Sequence, residues 1–327
     1  MLKIGIVGVG GIGSVHLEKW SMIPDIELVA VCDVRLDMAL EKTKALHIPV
    51  YDSLDVMLHK ESLDIIDICT PTYLHKEQAI KSIENGINVL VEKPAGLSSA
   101  DAEIMFTKAK EYNVKLMVAH VLRFWDEYVF LKDYYKNRTY GDLLNASFWR
   151  FSETPRWSYN SWMTDEKLSG LVPFDLHIHD LDFIVSMMGK PDKIFANRGR
   201  RKNSVLSDFY SASYIYQDCF INCEAAWFDN KYPFTFGYRA HFENAVLEYH
   251  GEQIKVYLKD GTSKVIEGKE ISRKTEINLP AVNAYYKEIE YFVNCVKNNC
   301  KIDVMDESEI LNVIDAIQYG VKHASVD

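Results

Sequence analysis

KIGIVGVGGIGSVHL, residues 3–17, decides how the chain is read. An apolar run suited to a buried strand breaks at Gly8, Gly10 and Gly13, with Gly11 and Ile12 between the last two, and a helical pattern starts directly after. In such a GxGxxG turn the first glycine permits the tight bend and the second lets backbone approach a pyrophosphate. The third allows close packing of helix on strand, and the helix N-terminus favours negative charge. Twenty residues beyond Gly13, Asp33 ends a second apolar run, ELVAVCD at 27–33. A carboxylate there accepts hydrogen bonds from both ribose hydroxyls of NAD and repels the 2'-phosphate of NADP. Arg35, two residues on, softens that preference without reversing it. These residues predict a dinucleotide site that takes NAD ahead of NADP.

Outward from this stretch, short apolar runs recur near 3–7, 26–32, 64–69, 87–92 and 115–119, with a weaker one near 49–51, and helical patterns lie between them. That alternation predicts an α/β fold whose N-terminal domain, residues 1–122, is a Rossmann doubly wound parallel sheet. Ligands of such sheets bind at the carboxyl ends of the strands. After Leu122 the pattern changes to long alternating segments at 143–151, 208–216, 219–228, 234–242 and 254–259. They predict a C-terminal α/β domain, residues 123–327, with an open, mainly antiparallel sheet for substrate binding and oligomerisation. Asp306 and Glu309 precede Ile310, Ile314, Ile317 and Val321 at helical spacing, so a terminal helix is expected to pack back on the body. The length of 327 residues agrees with two domains, because one core rarely grows past about 250–300 residues.

Composition narrows the partners. With 37 Lys and Arg against 47 Asp and Glu, the net charge of -10 repels a phosphate backbone, which excludes nucleic acid. Residues 1–10 carry no charged leader pattern, and no run of 18 apolar residues suits a bilayer, so a cytoplasmic protein without a membrane partner is expected. The cysteines at 32, 69, 219, 223, 295 and 300 follow no zinc spacing; they are read as structural thiols and no metal is expected.

Three further stretches converge: CTPTYLH at 69–75, VLVEKPAG at 89–96 and FDLHIHDLD at 174–182. With the glycine turn, HVLRF at 120–124 and AYYKEIEYFVNCV at 284–296, they resemble the Gfo/Idh/MocA family over nearly the whole chain. The resemblance implies hydride transfer between NAD(P) and a carbohydrate-like alcohol such as a sugar or inositol, with Lys93, Asp175 and His179 as the catalytic residues. The glycine-rich stretch that often precedes the Asp/His pair is reduced here to Ser169-Gly170 followed by Leu171 and Val172. His177 stands where a small residue is common, narrowing the pocket.

The chemistry is consistent with those side chains. Oxidising a secondary alcohol needs a base at the hydroxyl proton, which an imidazole supplies. Asp175 lies four residues before His179, on the same face if 175–188 is helical, where it orients the ring and stabilises its charged form. An ammonium at Lys93, past the fifth strand, favours the developing alkoxide, and a lysine of lowered pKa also serves as base, so that choice stays open between Lys93 and His179. Thr70, Pro71 and His75 follow the fourth strand while Glu92 and Lys93 end the fifth, so all five are candidate cofactor contacts. His120, Arg123 and Trp162 join the three catalytic residues as candidate substrate contacts, an aromatic ring being suited to the CH face of a sugar. Arg198, Arg200, Arg201 and Lys202 read as a solvated turn. A redox-assisted eliminase or glycosidase on the same fold is the alternative activity; a sensor of NAD or sugar has no need of all three catalytic residues. Alternation in FYSASYIY at 209–216 and CFINCEAAW at 219–227 leaves one sheet face for a homodimer or homotetramer.

Overall fold

The computed structural model describes residues 1–200, 207–267 and 283–325. In the N-terminal unit the chain runs β1 (Leu2–Val7), α1 (Gly11–Trp20), β2 (Ile26–Cys32), α2 (Leu36–Thr43), β3 (Val50–Tyr51), α3 (Leu54–Lys60), β4 (Ile65–Ile68), α4 (Thr72–Glu84), β5 (Asn88–Glu92), α5 (Ser99–Glu111) and β6 (Leu116–Ala119). The sheet order is β3-β2-β1-β4-β5-β6 and every pair is parallel. Helices on both faces leave the strands no solvent side. Ile65, Ile66, Ile68, Val89, Leu90 and Val91 are accordingly all inaccessible, and the strands read as unbroken apolar runs. Asp67 is the exception, a carboxylate with no exposure inside β4.

The second unit contains α6 (Asp126–Lys136), β7 (Leu143–Glu153), α7 (Glu166–Ser169), α8 (Ile178–Met188), β8 (Lys193–Arg200), β9 (Ser207–Ile215), β10 (Phe220–Phe228), β11 (Thr235–Phe242), β12 (Ala245–Tyr249), β13 (Gln253–Leu258) and β14 (Ser263–Glu267). These strands form one eight-stranded sheet of order β14-β13-β12-β11-β7-β10-β9-β8. All its pairs are antiparallel except β7 with β10. Burial alternates with period two: Tyr210, Ala212 and Tyr214 are buried while their neighbours 209, 211 and 213 are half-buried. The buried face carries an aromatic core in which Tyr128 of α6 meets Phe183, Tyr238 and Tyr249 edge-on.

Two expectations are corrected. Residues 123–327 do not form a single domain: 283–307, including α9 (Ala284–Lys297), group with the first unit, and only with α10 (Glu307–His323) does the chain rejoin the second. The reason is the apolar face of α9, where Tyr285, Ile289, Phe292 and Val293 are buried and the helix lies on α1. The basic cluster is not a solvated turn where it is described. Arg198 lies in β8 and is buried, with its guanidinium 2.5 Å from Glu166; Arg201 and Lys202 lie outside the described residues.

Candidate active site

The glycine turn has the form a dinucleotide requires. Gly8 has φ +85°, and a Cβ there would stand 2.9 Å from the Cys69 carbonyl oxygen. A Cβ on Gly13 would stand 1.9 Å from the Gly8 carbonyl oxygen, so no other residue fits without moving backbone. Because α1 opens at Gly11, the N–H groups of Gly11, Ile12 and Gly13 belong to its first turn, which presents donors and a positive dipole end. Asp33 is buried beside this turn: Oδ2 accepts the Val9 N–H at 3.0 Å, and Oδ1 accepts the Arg35 N–H at 2.9 Å and Nε–H at 3.3 Å. The tip of Arg35 covers Gly10, where a Cβ would meet Nη2 at 3.1 Å. Lys42, which the sequence did not single out, donates to the Val9 and Gly10 carbonyls at 3.0 and 3.3 Å and to the Ser14 hydroxyl. A backbone cradle, a helix N-terminus and an anchored carboxylate suit NAD.

At the ends of β4 and β5 the geometry departs from expectation. His75 lies in α4 and is 1% exposed, its Nδ1 2.8 Å from the Pro94 carbonyl and its Nε2 2.8 Å from that of Thr70. Burial holds its pKa below the usual imidazole range, against the pull of both carbonyls. The ring thus ties the two strand-end turns together. Thr70 is held in turn by Gln78, at 2.6 Å, and Pro71 immediately precedes α4. Glu92, also expected at the cofactor, is buried with both oxygens engaged: Oε1 lies 3.1 Å from His16 Nε2, and Oε2 accepts the Lys93 N–H at 3.0 Å. Lys93 itself is partly exposed, whereas His120, at the end of β6, is 2% exposed.

In the second unit the Asp/His pair sits on a helix under unusual constraint. Gly170 and Leu171 are both left-handed, with φ +71° and +58°, and turn the chain into it. A leucine there costs about 1–2 kcal/mol that a glycine would not; the Ser169 hydroxyl holds the turn by accepting the Leu171 N–H at 2.9 Å. The first turn, Pro173–His177, is a π-helix that runs directly into α8. From 171 to 185 every residue is buried except Asp175 and His179. Polar anchors fix this rotation from the opposite face. His177 Nε2 is 2.6 Å from the Tyr214 hydroxyl, and burial pushes the ring's pKa down to about 3, so it is neutral. Asp180 accepts Arg150 Nε–H and Nη2–H at 2.9 and 2.8 Å, and Asp182 accepts Arg123 Nε–H and Nη2–H at the same two distances.

This arrangement revises several assignments. His177 does not narrow a pocket, since it faces the sheet. Arg123, expected at the substrate, is committed to Asp182 and to Glu309, 2.5 Å from Nη1, and its side chain is 1% exposed. Trp162 is half-buried in the 3-10 segment Tyr159–Thr164, where Asn160 and Ser161 are left-handed. His16, Asp67, Arg150 and Asp180 were missed. The one signal was a charged residue interrupting an apolar run, as Asp67 does in IIDIC at 65–69.

Comparison with known proteins agrees with this architecture. Residues 2–120 match the oxidoreductase family model with the NAD-binding Rossmann fold, and residues 128–261 match the Gfo/Idh/MocA C-terminal domain. The chain belongs to the Gfo/Idh/MocA family. It is 30% identical to myo-inositol 2-dehydrogenase of Thermotoga maritima over 60% of this chain and 58% of that one. It is 28% identical to 2,7-anhydro-N-acetylneuraminate hydratase of Escherichia coli over 58% of this chain and 50% of that one. The chain thus spans about half the length of the curated relatives it matches. An Agrobacterium radiobacter oxidoreductase solved with NAD+, L-tartaric acid and magnesium shares the fold, with TM-score 0.86 at 14% identity, covering 99% of this chain and 96% of that one. Among the described residues, no helix is long and apolar enough to cross a membrane.

Proposed function

We propose that the protein is an NAD-dependent oxidoreductase that transfers hydride between the nicotinamide and a hydroxyl-bearing carbon of a sugar, inositol or related polyol. One observation carries the reading: on a helix locked by buried partners of His177, Asp180 and Asp182, Asp175 and His179 alone are half-buried rather than buried between 171 and 185. Alcohol oxidation needs a base and a group to orient it, and an imidazole beside a carboxylate supplies both. Gly8, Gly10, Gly11, Ile12, Gly13 and Asp33 would hold the cofactor, which when bound supplies the hydride acceptor. His179 or Lys93 takes the hydroxyl proton, Asp175 steadies the imidazolium, and the ammonium of Lys93 favours the alkoxide. Trp162 offers a ring for the sugar's apolar face. The relatives named for inositol and glycoside dehydrogenation support the substrate class.

The test is a panel of inositols, aldoses, amino sugars and uronic sugars assayed by nicotinamide absorbance with NAD and NADP in parallel. No turnover of any member with either cofactor would refute the reading. The hydratase relatives favour a second one, redox-assisted elimination or hydration on the same fold. NADH that accumulates in proportion to product excludes it, because such a cycle returns its hydride.

A cytoplasmic location belongs to the same reading, supported by six cysteines held as thiols. So does a homodimer or homotetramer through the outer sheet face. There Tyr257, Val246, His241, Asn145, Phe220 and Ile215 form one cross-strand row, with Phe220 45% and Tyr257 43% exposed. Light scattering decides it, since a mass near the 37.7 kDa of one chain contradicts the assembly.

A further inference from the structure

Beneath the turn that carries Lys93 lies a buried polar cluster with no part in the chemistry described above. His16, on α1, is fully buried. Its Nδ1 is 2.8 Å from Asp67 Oδ2 and its Nε2 is 3.1 Å from Glu92 Oε1. Asp67 and Glu92 stand on neighbouring parallel strands, Glu92 as the last residue of β5. An ionised carboxylate only accepts hydrogen bonds, so a ring with a carboxylate at each nitrogen needs a proton on both.

The other groups around the ring agree with an imidazolium. Trp20 donates its indole N–H to Asp67 Oδ2 at 2.6 Å, Cys69 Sγ lies 3.5 Å from Asp67 Oδ1, and the Tyr285 ring of α9 is 5.9 Å away. Burial pushes the Cys69 thiol up, so it stays neutral. Burial is the largest single effect and opposes charge on His16, but Asp67 and Cys69 together hold the pKa well above the usual value. His16, Asp67 and Cys69 do bring ligand-type atoms within 4.8 Å of one another. Oδ2 of Asp67 is nevertheless already shared by two N–H donors, which makes this a hydrogen-bonded cluster and not a cation site.

Glu92 carries the constraint forward, because its second oxygen accepts the backbone N–H of Lys93 at 3.0 Å. With one oxygen held by His16 and the other by the following N–H, the carboxylate fixes where β5 gives way to the lysine. We propose that His16, as an imidazolium bridging Asp67 and Glu92, is a positioning residue for Lys93. The proposal rests on the role given to Lys93 above. A misplacement of about 1 Å in a group that acts on substrate can cost on the order of 10²-fold in rate.

The experiment has two arms, and neither needs turnover. In histidine-labelled protein at pH 7.5, nitrogen NMR of the ring that vanishes in H16Q is expected to show protons on both nitrogens; a neutral tautomer would overturn the bridge. In competitive acetylation read by mass spectrometry, the reactivity of Lys93 relative to exposed lysines is expected to change at least about threefold in H16Q. An unchanged ratio in folded H16Q overturns the positioning role. Should H16Q not fold, E92L removes the acceptor of the Lys93 N–H while leaving the His16–Asp67 pair, and carries the same expectation. If a polyol is turned over, kcat in H16Q falls about tenfold or more while the Kd for NAD stays within about threefold. Absence of turnover in the parent protein sinks the proposed function and leaves the NMR and acetylation results to judge His16.

Discussion

Replacing Arg150 with methionine tests how the Asp/His helix is held. Asp180 is fully buried and the Arg150 side chain is 4% exposed; two N–H donors at 2.9 and 2.8 Å neutralise the carboxylate. Arg150→Met fills much of the same volume yet strands that charge, and breaking one side of a buried pair costs about 3–5 kcal/mol. The Tyr128 hydroxyl, 3.3 Å from Oδ1, remains as a donor and sets the expectation at the lower end, about 3 kcal/mol. Replacing both partners, as in R150M/D180L, leaves no stranded charge and is expected to cost at least about 2 kcal/mol less than the single change. Burial already holds the Asp180 carboxyl above the usual carboxylate range despite Arg150, so without the arginine it protonates more readily. The single-variant deficit is therefore expected to shrink between pH 8 and pH 5. Urea unfolding followed by fluorescence of buried Trp125 and Trp227 reads these differences. An R150M cost below about 1 kcal/mol, or a double variant as costly as the single one, would refute the reasoning.

The remaining predictions concern the cofactor, the chemistry and pH. Asp33→Ser removes the carboxylate that opposes a 2'-phosphate, so preference moves toward NADP; equal kcat/KM for the two cofactors in the parent protein removes the premise. His179→Ala and Lys93→Ala each lower kcat by about 10² or more, the scale of one acid-base group, and near-normal turnover in either variant removes that residue from the mechanism. Because the pKa of His16 is raised by folding, its stabilisation is complete below the ordinary imidazole value of about 6.5 and is lost as pH rises through the folded value. The Tm gap between the parent protein and H16Q should therefore narrow as pH rises into the alkaline range; a constant gap contradicts the linkage.

Most of the framework was legible because it rests on local pattern. β1, β2, β4, β5 and β6 lie where apolar runs end in turn residues, and the Asp33 carboxylate stands where the end of β2 predicts it. The alternating segments of the second half became β7, β9, β10, β11 and β13. Three strands were not anticipated. In β8, KIFANRGR, the arginines read as solvent-facing, yet Arg198 finds Glu166 and the strand closes the sheet edge. β12 and β14 are five residues each, too short for their alternation to stand out from the turns beside them.

What stayed hidden were the partners of charged residues, and distance along the chain is the reason. Arg123 reaches Asp182 across 59 positions, Arg150 reaches Asp180 across 30, and His16 reaches Glu92 across 76. Periodicity reports which face a residue occupies, not which charge it meets, so Arg123 read as a substrate ligand and Glu92 as a cofactor ligand. A motif such as FDLHIHDLD holds two kinds of polar residue that sequence alone renders alike. Asp180 and Asp182 carry carboxylates inward to arginines, whose guanidinium groups satisfy them two bonds at a time. That commitment fixes the rotation of the helix, and the rotation determines that Asp175 and His179 emerge. The inward acids are thus the cause of the outward pair's placement: losing Arg150 should disturb His179 without touching any substrate.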